Sequence, residues 1–221
     1  MHIPDGFLST GVSVAAWAGS AGGLGYALKQ VNKTLGERQV PLMGVTAAFI
    51  FAAQMLNFTV IGGTSGHLLG GALAAILLGP WAGMLVLTSV LVIQALLFQD
   101  GGLLALGANI LNMAVIGVLV GWAAYRLLYR LLGSRPWAVF VSGFVAGWLS
   151  VVLASLAAAV ELAMSGTLAW QIVIPAMGGI HALIGIGEGL ITVGVLAFLR
   201  VARPDLLTIG QTAQVSEESL P

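Results

Sequence analysis

Cysteine is absent from the 221 residues. That single absence excludes disulfides, thiolate metal sites and cysteine nucleophiles together. Charge is nearly absent too: eight Lys and Arg against eight Asp and Glu make up 7% of the chain, with a net of zero. A soluble domain carries about 25% charged residues, so there is too little charge here to coat a water-facing surface. Nor is there a basic face to neutralise nucleic-acid phosphates. Lys29 and Lys33 are the only lysines, and neither sits in a Gly-rich phosphate loop, which excludes ATP binding through a G-x-x-x-x-G-K-[ST] motif. No H-E-x-x-H is present, which argues against an intramembrane zinc hydrolase. What fills the chain instead is apolar: 59% hydrophobic residues, 31 glycines and a mean hydropathy of +1.04. This is the composition of an integral membrane protein, with glycine suited to close helix packing in lipid.

The apolar runs, such as Trp81 to Phe98 and Trp137 to Val160, are continuous rather than alternating. They therefore predict helices and not the strands of a barrel. Seven spans are expected, at roughly 10–28, 41–58, 67–79, 81–98, 108–128, 137–163 and 175–199, the second opening at Pro41 and the last at Pro175. The third is too short to cross alone: at 1.5 Å per residue it makes about 20 Å. The stretch Gly62-Gly63-Thr64-Ser65-Gly66 before it is expected to dip into the protein and reach the start of a broken helix. The basic residues test the count. Lys29, Lys33 and Arg38 lie between spans one and two, Arg126, Arg130 and Arg135 between five and six, and Arg200 and Arg203 after seven. The positive-inside rule makes all three clusters cytoplasmic. Seven spans satisfy it, with the N-terminus outside and the C-terminus inside. The expected organisation is a single all-α transmembrane metal-binding domain over 1–204 and a polar tail, 205–221, expected to be disordered. With no basic n-region before Asp5, the start does not read as a cleaved signal peptide, and Met1 is expected to be retained.

The chemistry concentrates at Met1-His2-Ile3-Pro4-Asp5-Gly6. A metal held by the Met1 α-amine and the His2 amide nitrogen closes a five-membered ring. The same amide nitrogen and His2 Nδ1 close a six-membered ring. Three nitrogens then lie in one plane with one position open. Deprotonating an amide calls for Ni²⁺ or Cu²⁺, with Co²⁺ possible, and not Mg²⁺ or Ca²⁺. Pro4-Asp5-Gly6 is a turn signal that could fold these residues back into the bundle. His67, on the same side of the membrane, is the natural fourth ligand. Histidine is rare in membrane segments and marks a site by default. Read singly, His2 is as well explained by a solvated terminus and His67 by an interfacial helix start; together they favour metal. Thr64 and Ser65 could fix the His67 tautomer, against a plainer role in capping the following helix. His181 and Glu188 lie two helical turns apart on one face. They read as a structural hydrogen-bonding pair first, and as a proton relay or second metal site otherwise. Asn109 and Asn112 read as interhelical hydrogen bonding or as support for the metal loop. Gly44, Ala48 and Ala52 form a small-residue stripe that admits another helix; packing within this chain is the expectation from the spacing.

Met1 to Leu8, the Gly62-to-Gly70 segment with His67, Gly107-Ala108-Asn109 through Asn112-Met113, and His181 to Glu188 resemble the CbiM/NikM family. These are the substrate-capturing membrane subunits of energy-coupling-factor transporters for cobalt and nickel. The resemblance covers roughly residues 1–200. It implies an added N-terminal helix before a six-helix core. It implies a square-planar site of four nitrogens: the Met1 amine, the His2 amide and imidazole, and the His67 imidazole. It also implies partners, namely a transmembrane coupling subunit, two ATPase subunits and in some systems a small accessory membrane subunit. By the same resemblance Gly44, Ala48 and Ala52 become candidate contacts with the coupling subunit. The expected function is ATP-driven uptake of Ni²⁺ or Co²⁺ across a bacterial or archaeal cytoplasmic membrane. The chain itself would be no enzyme, and the metal would be substrate rather than cofactor. The competing expectation is a proton-coupled carrier working alone through His181 and Glu188.

Overall fold

The computed structural model describes residues 1–36, 39–60, 64–133 and 135–207, with backbone alone at 58–60 and 64. Arg38, Gly62, Gly63 and the tail from 208 lie outside the described residues, and with them those parts of the expectations above. The elements run α1 (Thr10–Thr34), α2 (Gln39–Gln54), β1 (Asn57–Val60), β2 (Thr64–His67), α3 (Gly71–Leu78), α4 (Pro80–Leu97), α5 (Leu106–Asn109), a π-helical stretch (Ile110–Gly117), α6 (Val118–Leu132), α7 (Ala138–Met164) and α8 (Trp170–Ala202). The fold is thus mostly helical. Among the described residues four stretches are long and apolar enough to cross a membrane: Pro80–Leu97, Leu106–Leu132, Ala138–Met164 and Trp170–Ala202.

Three of the expected spans differ from that class. α1 has 25 residues but is rich in small and polar residues and is not among the four. α2 stops at Gln54, after 16 residues, and the chain then enters a two-stranded antiparallel hairpin pairing Asn57 with His67 and Val60 with Thr64. α3 is shorter than expected. Its eight residues span about 12 Å, and every one is buried. An unsupported end of such a helix would leave backbone groups without partners in lipid; here protein surrounds it. His67, Thr64 and Ser65 therefore lie on β2, and the residue that opens α3 is Gly70, in the left-handed region at φ +77°. A β-carbon there would stand 2.6 Å from Ile50 Cγ1, so only glycine fits.

α8 begins at Trp170, five residues before the expected start, and carries Pro175 inside it. Pro175 removes one backbone donor near the first turns, a loss that neighbouring helices make tolerable in membrane helices. Basic residues gather where helices end: Lys33 in the last turn of α1, Arg130 in that of α6 and Arg200 in that of α8. The Arg200 guanidinium donates to the Pro136 carbonyl at 2.6 Å, tying the end of α8 to the turn before α7. Beyond α8, Arg203 pairs with Asp205 at 2.8 Å and Leu207 packs on the core.

The small-residue stripe on α2 does not pack against other described residues of the chain. Gly44, Ala48 and Ala52 are all exposed, and nothing lies within 4 Å of a β-carbon built on Gly44. The opposite face of α2, through Thr46, Ile50 and Gln54, is the buried one. The spacing shows that a helix can approach this stripe; it carries no information on which chain supplies it.

Candidate metal centre

The first eight residues are strapped onto the bundle by polar bonds. At the Pro4-Asp5-Gly6 turn, Gly6 takes φ +84°. The Asp5 carboxylate accepts from the backbone N–H groups of Leu103, Leu104 and Ala105 at 3.0, 2.8 and 3.1 Å. This close approach needs glycine at 102, where a β-carbon would stand 2.1 Å from Asp5 Oδ1. Ile3 is held from both sides: its N–H donates to Asn109 Oδ1 at 2.8 Å, and its carbonyl accepts from Asn109 Nδ2 at 3.1 Å and from Gly102 N–H at 2.9 Å. The Thr167 hydroxyl donates to the Phe7 carbonyl. The result is that Met1 and Ile3 are 0% exposed and His2 is 4% exposed.

Inside this strap the donors expected from the sequence come together. The His2 and His67 rings stack with centroids 4.6 Å apart. The Met1 amine donates to Ser65 Oγ at 3.2 Å. The tautomers follow from the partners. Gln94 Oε1 lies 3.1 Å from His2 Nε2, so that nitrogen carries the proton and Nδ1 keeps a free lone pair. The Leu68 carbonyl lies 2.7 Å from His67 Nδ1, so the free lone pair there is on Nε2. Both lone-pair nitrogens are buried and have no hydrogen-bond partner among the described residues. Asp100 Oδ1 comes to 3.4 Å from His2 Nδ1; with the imidazole neutral this is a close approach, neither an ion pair nor a hydrogen bond.

Burial decides the protonation of the strap. It pushes the Met1 amine down to about 4, against the pull of Asp100 in the other direction. Burial again, with the amine beside it, takes His2 down to about 3, opposed by its bond to Gln94. Asp100 moves up through burial, opposed by the amine. At neutral pH the amine and the imidazole are therefore unprotonated bases, the form in which each can bind a metal.

The remaining expected residues divide. Ser65 touches the amine and not the His67 ring, whose tautomer is fixed by Leu68. Thr64 contributes its paired backbone to β2. Asn109 holds Ile3, a direct support of the strap. Asn112 donates to Glu161 on α7 at 2.6 Å, an interhelical bond away from the donors. His181 and Glu188 are not bonded to each other. His181 Nδ1 donates to the Met177 carbonyl at 2.8 Å, and its buried Nε2 has no partner. Glu188 accepts from Leu69 N–H at 2.9 Å and Gly70 N–H at 2.7 Å, clamping the chain between His67 and α3. Gln54 Nε2 donates to the Leu69 carbonyl of the same segment at 2.7 Å.

Gln94 and Asp100 are the site residues that the sequence analysis missed. Gln94 had a readable signal, being a lone amide inside the apolar run from Trp81 to Phe98. Asp100 had none beyond its place at the end of that run. The π-helical stretch following Asn109 was not foreseen either; such stretches recur at functional sites. Among the described residues no cluster of three or more His, Asp or Glu side chains could hold a metal.

Residues 2–206 match the family model CbiM, described as the cobalt uptake substrate-specific transmembrane region. The chain is 35% identical over 236 residues to the fused nickel transport protein NikMN of Rhodobacter capsulatus, covering all of this chain and 67% of that one. It is 36% identical over 180 residues to the cobalt transport protein CbiM of Sorangium cellulosum, covering 80% of each. A crystal structure of a transition metal transporter superimposes with a TM-score of 0.85 at 39% identity, covering 90% of this chain and 92% of that one.

Proposed function

From the premise that this chain belongs to the CbiM family of cobalt-uptake transmembrane regions, we propose that it captures Ni²⁺ or Co²⁺ outside the cell. It does so as the substrate-binding subunit of an energy-coupling-factor importer. The site is a square-planar set of four nitrogens: the Met1 amine, the deprotonated His2 amide, His2 Nδ1 and His67 Nε2. One observation carries this reading. The strap buries the Met1 amine beside two imidazoles whose nitrogens unpaired among the described residues are the two that the chelate requires. An unpaired buried nitrogen costs free energy in the empty protein, and a metal would relieve two such costs at once. Ion choice follows from the amide, which only metals high in the Irving–Williams order displace a proton from.

The working arrangement is seven crossings in the cytoplasmic membrane of a bacterium or archaeon, N-terminus outside. The basic helix ends then face inward, in agreement with the positive-inside rule. Energy comes from partner chains, a coupling subunit and two ATPase subunits. The exposed Gly44, Ala48 and Ala52 stripe is the face offered to the coupling subunit. The metal is substrate, and the chain performs no chemistry on it.

The deciding experiment places two Gly before Met1, since a single one would put the histidine in third place, where amine, two amides and Nδ1 make a square-planar chelate by themselves. The amine then moves out of chelating range while the fold is kept. Calorimetry with Ni²⁺ should show binding weakened by several orders of magnitude, and unchanged affinity would falsify the chelate. Mass spectrometry of the purified chain checks that Met1 is the first residue in the cell. His2→Ala and His67→Ala should each weaken binding strongly.

A further inference from the structure

The chelate leaves one positive charge uncompensated. The ion brings +2 and the His2 amide −1, while the amine and both imidazoles are neutral. The loaded site then holds +1 among residues that are 0–4% exposed. Charge in such a place needs a partner of opposite sign.

Two carboxylates lie close to the strap. Asp5 is spent, with its oxygens taken by three backbone N–H groups. Asp100 is not. Its Oδ1 stands 3.4 Å from His2 Nδ1, the nitrogen with the free lone pair. Its charge is felt at the Met1 amine. Its side chain is 22% exposed, so it reaches both water and the donors that water does not reach. Its position is also built. The Asp100 N–H donates to the Gln94 carbonyl at 3.1 Å, and the Gln94 side chain orients His2. One residue thus sets both the imidazole and the carboxylate. In the same loop Gln99 takes the left-handed region at φ +55°, a conformation costly for a residue with a side chain, and Gly101 takes φ +95°, which glycine adopts freely.

We propose that Asp100 is the capture carboxylate of this centre: partly exposed, it meets the hydrated divalent transition-metal ion first and remains as the counter-charge of the loaded chelate. This rests on the four-nitrogen reading. A carboxylate exchanges with metal-bound water without first losing a proton, so it can hold the ion while the slower amide deprotonation proceeds. A partly exposed negative group beside a buried cation site also raises the encounter rate of a cation, an effect that salt screens.

The test is stopped-flow mixing of the full chain in detergent with Ni²⁺ alone, over a range of ionic strength. Asp100→Asn should slow association at least tenfold, flatten its dependence on ionic strength and raise Kd at least tenfold. Asp100→Glu should restore the slope. Metal-free melting confirms that both variants fold. An unchanged association rate and slope in Asp100→Asn, in a protein whose Gly extension abolishes binding, overturns the role of Asp100 and leaves the chelate standing. A Gly extension that binds normally overturns the chelate itself.

Discussion

The strap over residues 1–8 and the α7–α8 pair sit in the same bundle and are held by opposite means. α7 and α8 meet through shape. A β-carbon on Gly147 would stand 3.3 Å from the Gly189 backbone, and one on Gly189 would stand 2.7 Å from the Phe144 ring. Small residues let the two backbones close up, as is usual where lipid removes the hydrophobic drive between helices. The strap has no helix and little area. It is held by Asp5, Asn109, Gly102 and Thr167, each meeting a backbone atom of a distant segment. Shape tolerates small errors in many directions. Hydrogen bonds to fixed backbone atoms place a group to within a few tenths of an ångström, which a four-donor chelate requires.

The largest expected effect breaks the strap at its anchor. Asp5→Ala removes three bonds to a charged acceptor. Allowing for solvent competition at this exposed turn, the loss is roughly 3 kcal/mol. Coupled to the bound state, that is about a hundredfold in Ni²⁺ affinity. Calorimetry should find it while circular dichroism shows the helices intact. Full affinity would mean that the strap holds without its turn. Asn109→Leu is the smaller version. It removes the two bonds to Ile3 while keeping the volume, and affinity should fall by about tenfold.

The helix pair should respond the other way. Gly189→Ala forces a methyl against Phe144, an overpacking that costs about 1–3 kcal/mol. Melting should drop by a few degrees, with Kd for Ni²⁺ unchanged within a factor of about two, since neither residue touches the donors. A large loss of affinity without loss of stability would erase the distinction between the two regions.

The same difference explains what the sequence made legible. The apolar runs at Pro80–Leu97 and Ala138–Met164 could be read to within a residue or two, because a repeated hydrophobic pattern carries the information many times over. The meeting of the N-terminus with His67 could be read as well, from the turn signal at Pro4-Asp5-Gly6 and from the side of the membrane on which His67 was expected. The support around them could not. Gln94 and Asp100 reach His2 across 92 and 98 residues of chain, and no local pattern encodes such a meeting. His67 was placed at a helix start and lies on a strand, since a four-residue strand has too little pattern to outweigh the helix that follows. The α2 stripe was assigned to packing within the chain, because spacing records that a helix can approach and not whose helix it is. His181 and Glu188 share a face, as their spacing of seven requires, yet each bonds to a nearby backbone group instead of to the other.

The smallest expected effect concerns one proton, and it separates a buried strap from a free peptide of the same sequence. In a free Met-His-Ile peptide at pH 7 the amine, with its ordinary value near 8.0, is mostly protonated. Metal binding must expel that proton together with the amide proton, about two in all. In the folded chain burial has already lowered the amine to about 4 and His2 to about 3. At pH 7 the donors are therefore empty of protons, and the amide alone has one to release. Titration with Ni²⁺ in buffers of different ionisation enthalpy should give about one proton per ion for the protein and about two for the peptide. The sign extends to pH dependence. Affinity falls with acid in both, because protons compete for the donors. Between pH 8 and 5 the protein should lose affinity with a slope near one per pH unit, where the peptide loses it more steeply. A protein slope as steep as the peptide's would mean that the amine is solvated, and the contrast between a strap that places its donors and a terminus that offers them would fail.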